Sequence, residues 1–283
     1  MNAITRRIAL TGLLAAAMLT AACNKTERPA YALTTTGKIL GFDTAKPTKI
    51  KTEVSVTGLA ANESLIQLSY RPANATFYCM TNQTRICTIN PKTGAAVVIR
   101  TASFTTETLT NPVIDFNPKA DVLRVVASEQ NLRINPNDGT LTGTDTELFF
   151  DGSDVNDNRT PQIAALAYDR NEANASNTTL FALDVTTQSL VRIGSRNGTP
   201  DSPNTGRLFT VAKLSTSFTG NAGFDIEPEG DTAYAALAAS GAGAVLYRID
   251  LSGGNADRVD DIGKGDRAIM SLVVGPDDKS TSN

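Results

Sequence analysis

The sequence predicts an all-β protein: a β-propeller of five blades, six being the alternative count, closed by pairing of its C-terminal strand with the N-terminal blade. Three observations predict it. From Tyr31 onward the chain is rich in Thr, Val, Ile and Leu interrupted by turn residues, the pattern of many short strands rather than helices. An apolar residue followed by Asp or Asn and a turn recurs at Phe42-Asp43, Ile89-Asn90, Ile134-Asn135, Leu183-Asp184 and Ile249-Asp250, in steps of 47, 45, 49 and 66 residues. Asp and Asn suit such places because their side chains close a turn on the backbone two residues on. A strand ending in proline recurs ahead of that motif, at Leu68 to Pro72, Ile114 to Pro118, Phe224 to Pro228 and Val273 to Pro276. Leu166-Ala167-Tyr168-Asp169 fills the missing place without a proline. Units of this length bury their faces only against their neighbours, so a ring of them must close. A two-sheet sandwich, the rival architecture, leaves the stepped turns unexplained.

The chain begins with two arginines, Arg6 and Arg7, an apolar run from Ile8 to Leu19, and Ala21-Ala22-Cys23. This is the layout of a secretory signal. The run is shorter than the ~20 residues a transmembrane helix needs. Leu19-Thr20-Ala21-Ala22-Cys23 resembles a bacterial lipobox, with Thr20 at the place Leu usually takes. The expectation is a signal over 1–22, lipidation at Cys23, and a polar lipidated tether over 23–30. Acyl chains on Cys23 would provide the membrane partner. Asn24 rather than Asp after the cysteine is the pattern of lipoproteins sent on to the outer membrane, on its periplasmic face or at the cell surface. The alternative is an ordinary signal that leaves Cys23 as a thiol.

Residues 31–276 read as a single β-propeller domain and 277–283 as a disordered tail. Within the domain, Phe77 to Thr81 and Arg85 to Ile89 flank a polar Asn82-Gln83-Thr84 turn. An antiparallel register centred on Gln83 sets Cys79 opposite Cys87. An exported chain meets oxidising conditions, so a cross-strand disulfide is expected. A redox pair would need closer spacing. The fourth unit is irregular, with an insertion near 195–206 ahead of an extra strand-like run, Leu208 to Leu214. Ile269 to Val274 is nearly continuous in apolar residues, as a strand covered on both faces should be. It lacks a following hairpin, while Tyr31-Ala32-Leu33 lacks a preceding strand, hence the expected closure.

The 283 residues contain no histidine and no tryptophan, with 26 Lys+Arg against 29 Asp+Glu. Absent histidine removes Ser-His-Asp and Cys-His nucleophiles, HExxH zinc sites and imidazole proton shuttles. The acidic balance gives no footprint for nucleic acid.

Phe116-Asn117-Pro118-Lys119-Ala120-Asp121-Val122-Leu123-Arg124-Val125-Val126, followed by Asn131-Leu132-Arg133-Ile134-Asn135-Pro136, resembles the hallmark of the bacterial domain-of-unknown-function family numbered 4394. Tyr31-Ala32-Leu33-Thr34, Thr57-Gly58-Leu59 and Phe224-Asp225 with Ala233-Tyr234-Ala235 are similar to its pattern too. The resemblance runs from Ala30 to about Val274. It departs at Val122, where the family has Arg, and at Cys79 and Cys87. It implies the propeller and leaves the chemistry open.

The polar residues of the hallmark, Asp115, Asp121, Arg124 and Arg133, are candidate site residues. Arg124 and Arg133 alternate with apolar neighbours on successive strands, so both can project to one side of a blade and pair with Asp115 or Asp121. They make either a patch for an anionic or sugar-like ligand or a salt-bridge set between blades, the latter being favoured. Asp225 occupies the same blade position as Asp115. Asp151, Asp154, Asn156 and Asn158 crowd oxygen donors into one loop. Arg159 stands where an EF-hand needs Gly and Ala165 where it needs Glu, so the loop is either a looser calcium site or a solvated loop, the latter being favoured. No cofactor is expected beyond that calcium ion.

These features point to a membrane-anchored lipoprotein, a monomer, serving as a non-catalytic propeller for a protein or small-molecule partner. The alternative is a metal-dependent propeller enzyme of lactonase or sugar-dehydrogenase type using channel carboxylates such as Asp115 and Asp225.

Overall fold

The computed structural model describes residues 27–276 apart from 129 and 229. Cys23, the signal and the tail over 277–283 lie outside the described residues. In chain order, β1 (Pro29–Thr34), β2 (Lys38–Asp43) and β3 (Thr52–Ser55) belong to blade 1. Blade 2 is β4 (Leu65–Arg71), β5 (Thr76–Thr81), β6 (Ile86–Ile89) and β7 (Ala96–Val98). Blade 3 is β8 (Val113–Asn117), β9 (Val122–Ala127), β10 (Gln130–Ile134) and β11 (Leu141–Asp145). β12 (Phe149–Phe150) joins the outer edge of blade 4, which otherwise runs β13 (Ile163–Tyr168), β14 (Leu180–Asp184), β15 (Ser189–Ile193) and β16 (Arg207–Lys213). Blade 5 is β17 (Ala222–Ile226), β18 (Ala233–Leu237), β19 (Val245–Ile249) and β20 (Ala256–Asp261). β21 (Ile269–Val274) returns to blade 1 and pairs antiparallel with β1, Ala30 opposite Val274 and Ala32 opposite Leu272.

The protein is therefore a five-bladed β-propeller closed as expected. Its innermost strands touch in the order β21, β4, β8, β13, β17 and back to β21. Burial falls from the axis outward: every residue of the innermost strands β13 and β17 and of their neighbours β14 and β18 is buried, whereas outer strands such as β3 and β11 are half exposed. Each of the five apolar clusters spans one junction between neighbouring blades, for example Phe181 and Leu183 with Phe224 and Ile226, or Tyr78 and Met80 with Ile114 and Phe116. Full burial of each such Leu, Ile or Phe side chain contributes about 1.5–3 kcal/mol. The ring is thus held by blade-to-blade packing. At the closing junction Gly223 is required, because a Cβ there would stand 2.5 Å from Leu272 Cβ.

Three sequence expectations are corrected. Leu183-Asp184 ends the second strand of its blade, while Ile89-Asn90, Ile134-Asn135 and Ile249-Asp250 end the third. The matching place in blade 4 is Ile193-Gly194, at the start of the insertion. The run from Leu208 to Leu214 is not an extra strand; β16 is the blade's own fourth strand, paired with β15 from Ile193–Leu208 to Ser189–Lys213. Finally, β1 begins at Pro29, inside the stretch read as tether. Arg28 and Thr44 exchange two hydrogen bonds, Arg28 N to Thr44 Oγ1 and Thr44 N to Arg28 O. The buried Arg28 also pairs with Glu227 at 3.3 Å.

Candidate functional site

The innermost strands run side by side around the axis, and their side chains lace the blades together. Ser271 Oγ of β21 accepts from Leu68 N at 3.0 Å and donates to Leu68 O at 3.2 Å. Gln67 Nε2 donates to Met270 O. Ser69 Oγ of β4 donates to Asp115 Oδ1 at 2.9 Å, and Asp115 Oδ2 accepts from Tyr168 N of β13 at 2.7 Å. Asp225 Oδ2 accepts from Val274 N at 2.7 Å, across the junction that closes the ring. Asp115 and Asp225 thus hold matching positions and each grips the backbone of the next blade.

Both carboxyls are buried and line a cavity of only about 10 Å³ on the axis, about the size of one water-sized sphere. Its other lining groups are neutral, Gln67, Ser69 and Ser271 among them. With no cation facing them, burial raises the Asp115 carboxyl to about 7, against the opposing pull of the Tyr168 and Ser69 hydrogen bonds. Burial and the Asp115 charge hold Asp225 well above the usual carboxylate range. Two carboxyls do converge here, but on a space too small for a substrate.

Above this neck the strand starts open into a funnel of about 300 Å³. Gln67, Asn111 and Asn221 bring amides to it, and Ile66, Leu109 and Met270 bring apolar surface. Asn82 also lines it, with its carbonyl accepting from Ser64 N. Asn111 takes a left-handed backbone at φ +49°, which Asn tolerates better than most residues. The lining carries no charged side chain. These amides were not singled out from sequence. For Asn111 and Asn221 the one signal is position, just ahead of the innermost strands β8 and β17.

The hallmark arginines lie on the side of blade 3 that faces blade 4, yet their partner is neither Asp115 nor Asp121. Arg124, only 1% exposed, donates from Nη1 to Asp145 Oδ2 at 3.0 Å, from Nε to the Tyr168 hydroxyl and from Nη2 to Asn204 Oδ1. Arg133 grips the same Asp145 with two 2.9 Å bonds. Gly143 opposite makes room, since a Cβ there would lie 2.4 Å from Arg133 Nη2. Asp121 instead meets Arg71 of blade 2, at 2.7 and 2.5 Å. The donors that an anionic ligand would need are engaged by carboxylates and amides of the fold.

The oxygen-rich loop likewise engages its groups locally. Asp151 Oδ1 accepts from Ser153 N and Oγ. Asp154 accepts from Asn156 N, Thr210 N and Thr210 Oγ1. Asn156 Nδ2 donates to Thr210 Oγ1 and Asn158 Nδ2 to Asp157. Among the described residues no three Asp, Glu, Cys or His side chains are grouped to hold a metal ion. Cys79 and Cys87 form a buried disulfide with Cα atoms 5.0 Å apart, facing the blade 1–2 junction.

No curated protein sequence matches the chain. Among solved structures, it is similar to a structural-genomics protein of unknown function from Bacteroides thetaiotaomicron at 11% identity and TM-score 0.49, covering 87% of this chain and 57% of that one. This chain therefore spans little more than half of that relative. A gluconolactonase from Xanthomonas campestris matches at 12% identity and TM-score 0.45, over 84% of this chain and 77% of that one. TolB from Acinetobacter baumannii matches at 14% identity and TM-score 0.42, over 86% and 52%. One family model, described as "Domain of unknown function (DUF4394)", matches residues 38–272, from the second strand of blade 1 into the strand that closes the ring. The chain belongs to the DUF4394 family.

Proposed function

We propose that this chain is an exported, lipid-anchored propeller of a bacterial envelope that binds a neutral, sugar-like ligand in the axial funnel without catalysing a reaction on it. The observation that carries this reading is the funnel itself. It combines amide donors and acceptors with apolar surface, the pairing that orients hydroxyl-rich ligands. Its floor offers no accessible acid or base. Asp115 and Asp225, which a metal-dependent enzyme would use, lie below it with oxygens engaged by Ser69, Tyr168 and Val274.

Anchoring suits this geometry. The register of β1 with β21 puts Pro29 at the end of the ring opposite Met270, and hence opposite the funnel. A lipid on Cys23, a few residues ahead of Glu27, would hold the far face against the membrane and leave the funnel open. Cys23→Ser should leave the chain in the soluble periplasmic fraction. Persistence in the detergent phase would overturn the anchor.

The binding test is saturation-transfer NMR of the full chain against neutral mono- and disaccharides. At least one should bind unchanged in structure, and Asn221→Trp, which fills the mouth, should abolish its signal while preserving the melting temperature. Chemical conversion of the ligand, or binding indifferent to Asn221→Trp, would contradict the reading.

A further inference from the structure

Most arginines of this acidic chain hold a carboxylate: Arg71, Arg85, Arg124, Arg133, Arg207 and Arg267 each have an ion pair within 4 Å. Arg192 and Arg196 have none among the described residues. They flank a cleft of about 310 Å³ at the outer junction of blades 4 and 5, with Thr210 and Val211 of β16 and Leu251 and Ser252 of blade 5. The Arg192 guanidinium stands 5.7 Å from the centroid of Phe209, its cross-strand partner, within cation–π range. Burial, together with the charge of Arg196, depresses Arg192, as expected where two cations share a site without a counter-ion. The acids that touch the lining residues are hydrogen-bonded to them and make no ion pair with either arginine. Asp154 accepts from Thr210 N and Oγ1, and Asp250 from Ser252 N and Oγ.

We propose that Arg192 and Arg196 form a binding site for a phosphate group in the cleft between blades 4 and 5. A planar guanidinium meets phosphate oxygens through paired N–H bonds, and a second positive charge beside it favours a ligand carrying a full negative charge. The site is separate from the funnel and does not depend on how the funnel is used. It opens toward the face where β1 begins, because β15 ends there and Leu251-Ser252 follow the end of β19. The phosphate is therefore that of a phospholipid headgroup or of a soluble phosphorylated compound, and one experiment separates the two.

The full chain carrying Cys23→Ser is titrated with inorganic phosphate at constant ionic strength. In parallel it is floated with vesicles of phosphatidylcholine alone or mixed with phosphatidylglycerol. Calorimetric binding of phosphate identifies the soluble source, and flotation only with phosphatidylglycerol identifies the headgroup. Either signal should weaken about tenfold or more in Arg192→Gln and in Arg196→Gln. It should be unchanged in Arg258→Gln, which alters a surface arginine paired with Asp260 and Asp261. Arg196 is exposed, so Arg196→Gln should melt as the parent does, which keeps the test valid should Arg192→Gln loosen the blade. Binding of neither probe, or binding equal in parent and Arg196→Gln, would overturn the proposal.

Discussion

Asp115 and Asp225 sit where a carboxyl is least comfortable, on the axis and without a facing cation, and the consequence is a testable dependence on pH. Below about pH 3.8 the Asp115 carboxyl is protonated in both folded and unfolded chains, so it contributes no difference. Between there and about 7 the folded state keeps a proton that the unfolded state has lost, so stability falls as pH rises. The full cost, at most about 4 kcal/mol for a shift of this size, is reached above the folded value. The chain contains no histidine, so no imidazole titrates in the same window. The midpoint of urea unfolding should therefore drop between pH 5 and pH 8, and Asp115→Asn should flatten the decline. A midpoint that rises across this range, or an equal slope in Asp115→Asn, would refute the assignment. That these two aspartates share a blade position was legible from the proline-ended repeat. Their hydrogen-bond partners were not, because Tyr168 and Val274 come from the next blade of the ring.

At the scale of the element, hairpins were the most legible feature. Alternation and a polar turn place Cys79 opposite Cys87, and the strands pair in that register. The disulfide closes a short loop, so its loss should cost about 2–3 kcal/mol. The double change Cys79→Ser with Cys87→Ser should lower the urea midpoint accordingly without altering the far-ultraviolet spectrum, and an unchanged midpoint would show the bond to be dispensable. Blade 4 shows where reading by element fails. Asp184 closes a turn by accepting from Thr187 N and Oγ1, just as Asn90 closes one by accepting from Lys92 N. Asp and Asn perform this chemistry after any strand, so the motif does not reveal which strand of a blade it ends. The long 195–206 connection then hid the true third-strand turn. For the hallmark arginines, alternation correctly predicted a shared side. Their acid, Asp145, went unrecognised because it stands on the outermost strand of the blade, beyond the hallmark.

For the whole molecule, the spacing of the repeats and the apolar run at the C-terminus were enough to predict a closed ring, while the funnel was not legible. Gln67, Asn111 and Asn221 are scattered along the chain and meet only because the innermost strands converge on the axis. Closure underlies the axial funnel. Without β21 there is no Val274 N–H for Asp225, no Ser271 bridge from blade 1 to blade 2, and no Met270 at the funnel rim. An open ring would also leave strand edges unpaired and the apolar flanks of two blades in water. The most direct measurement is the thermal unfolding of the chain ended after Gly265, beside one ended after Asp278. The latter should melt as the intact protein does. The former, lacking β21, should aggregate or unfold without a cooperative transition. A chain ending at Gly265 that stays soluble and melts cooperatively near the intact temperature would contradict closure by β21, and with it the axial site.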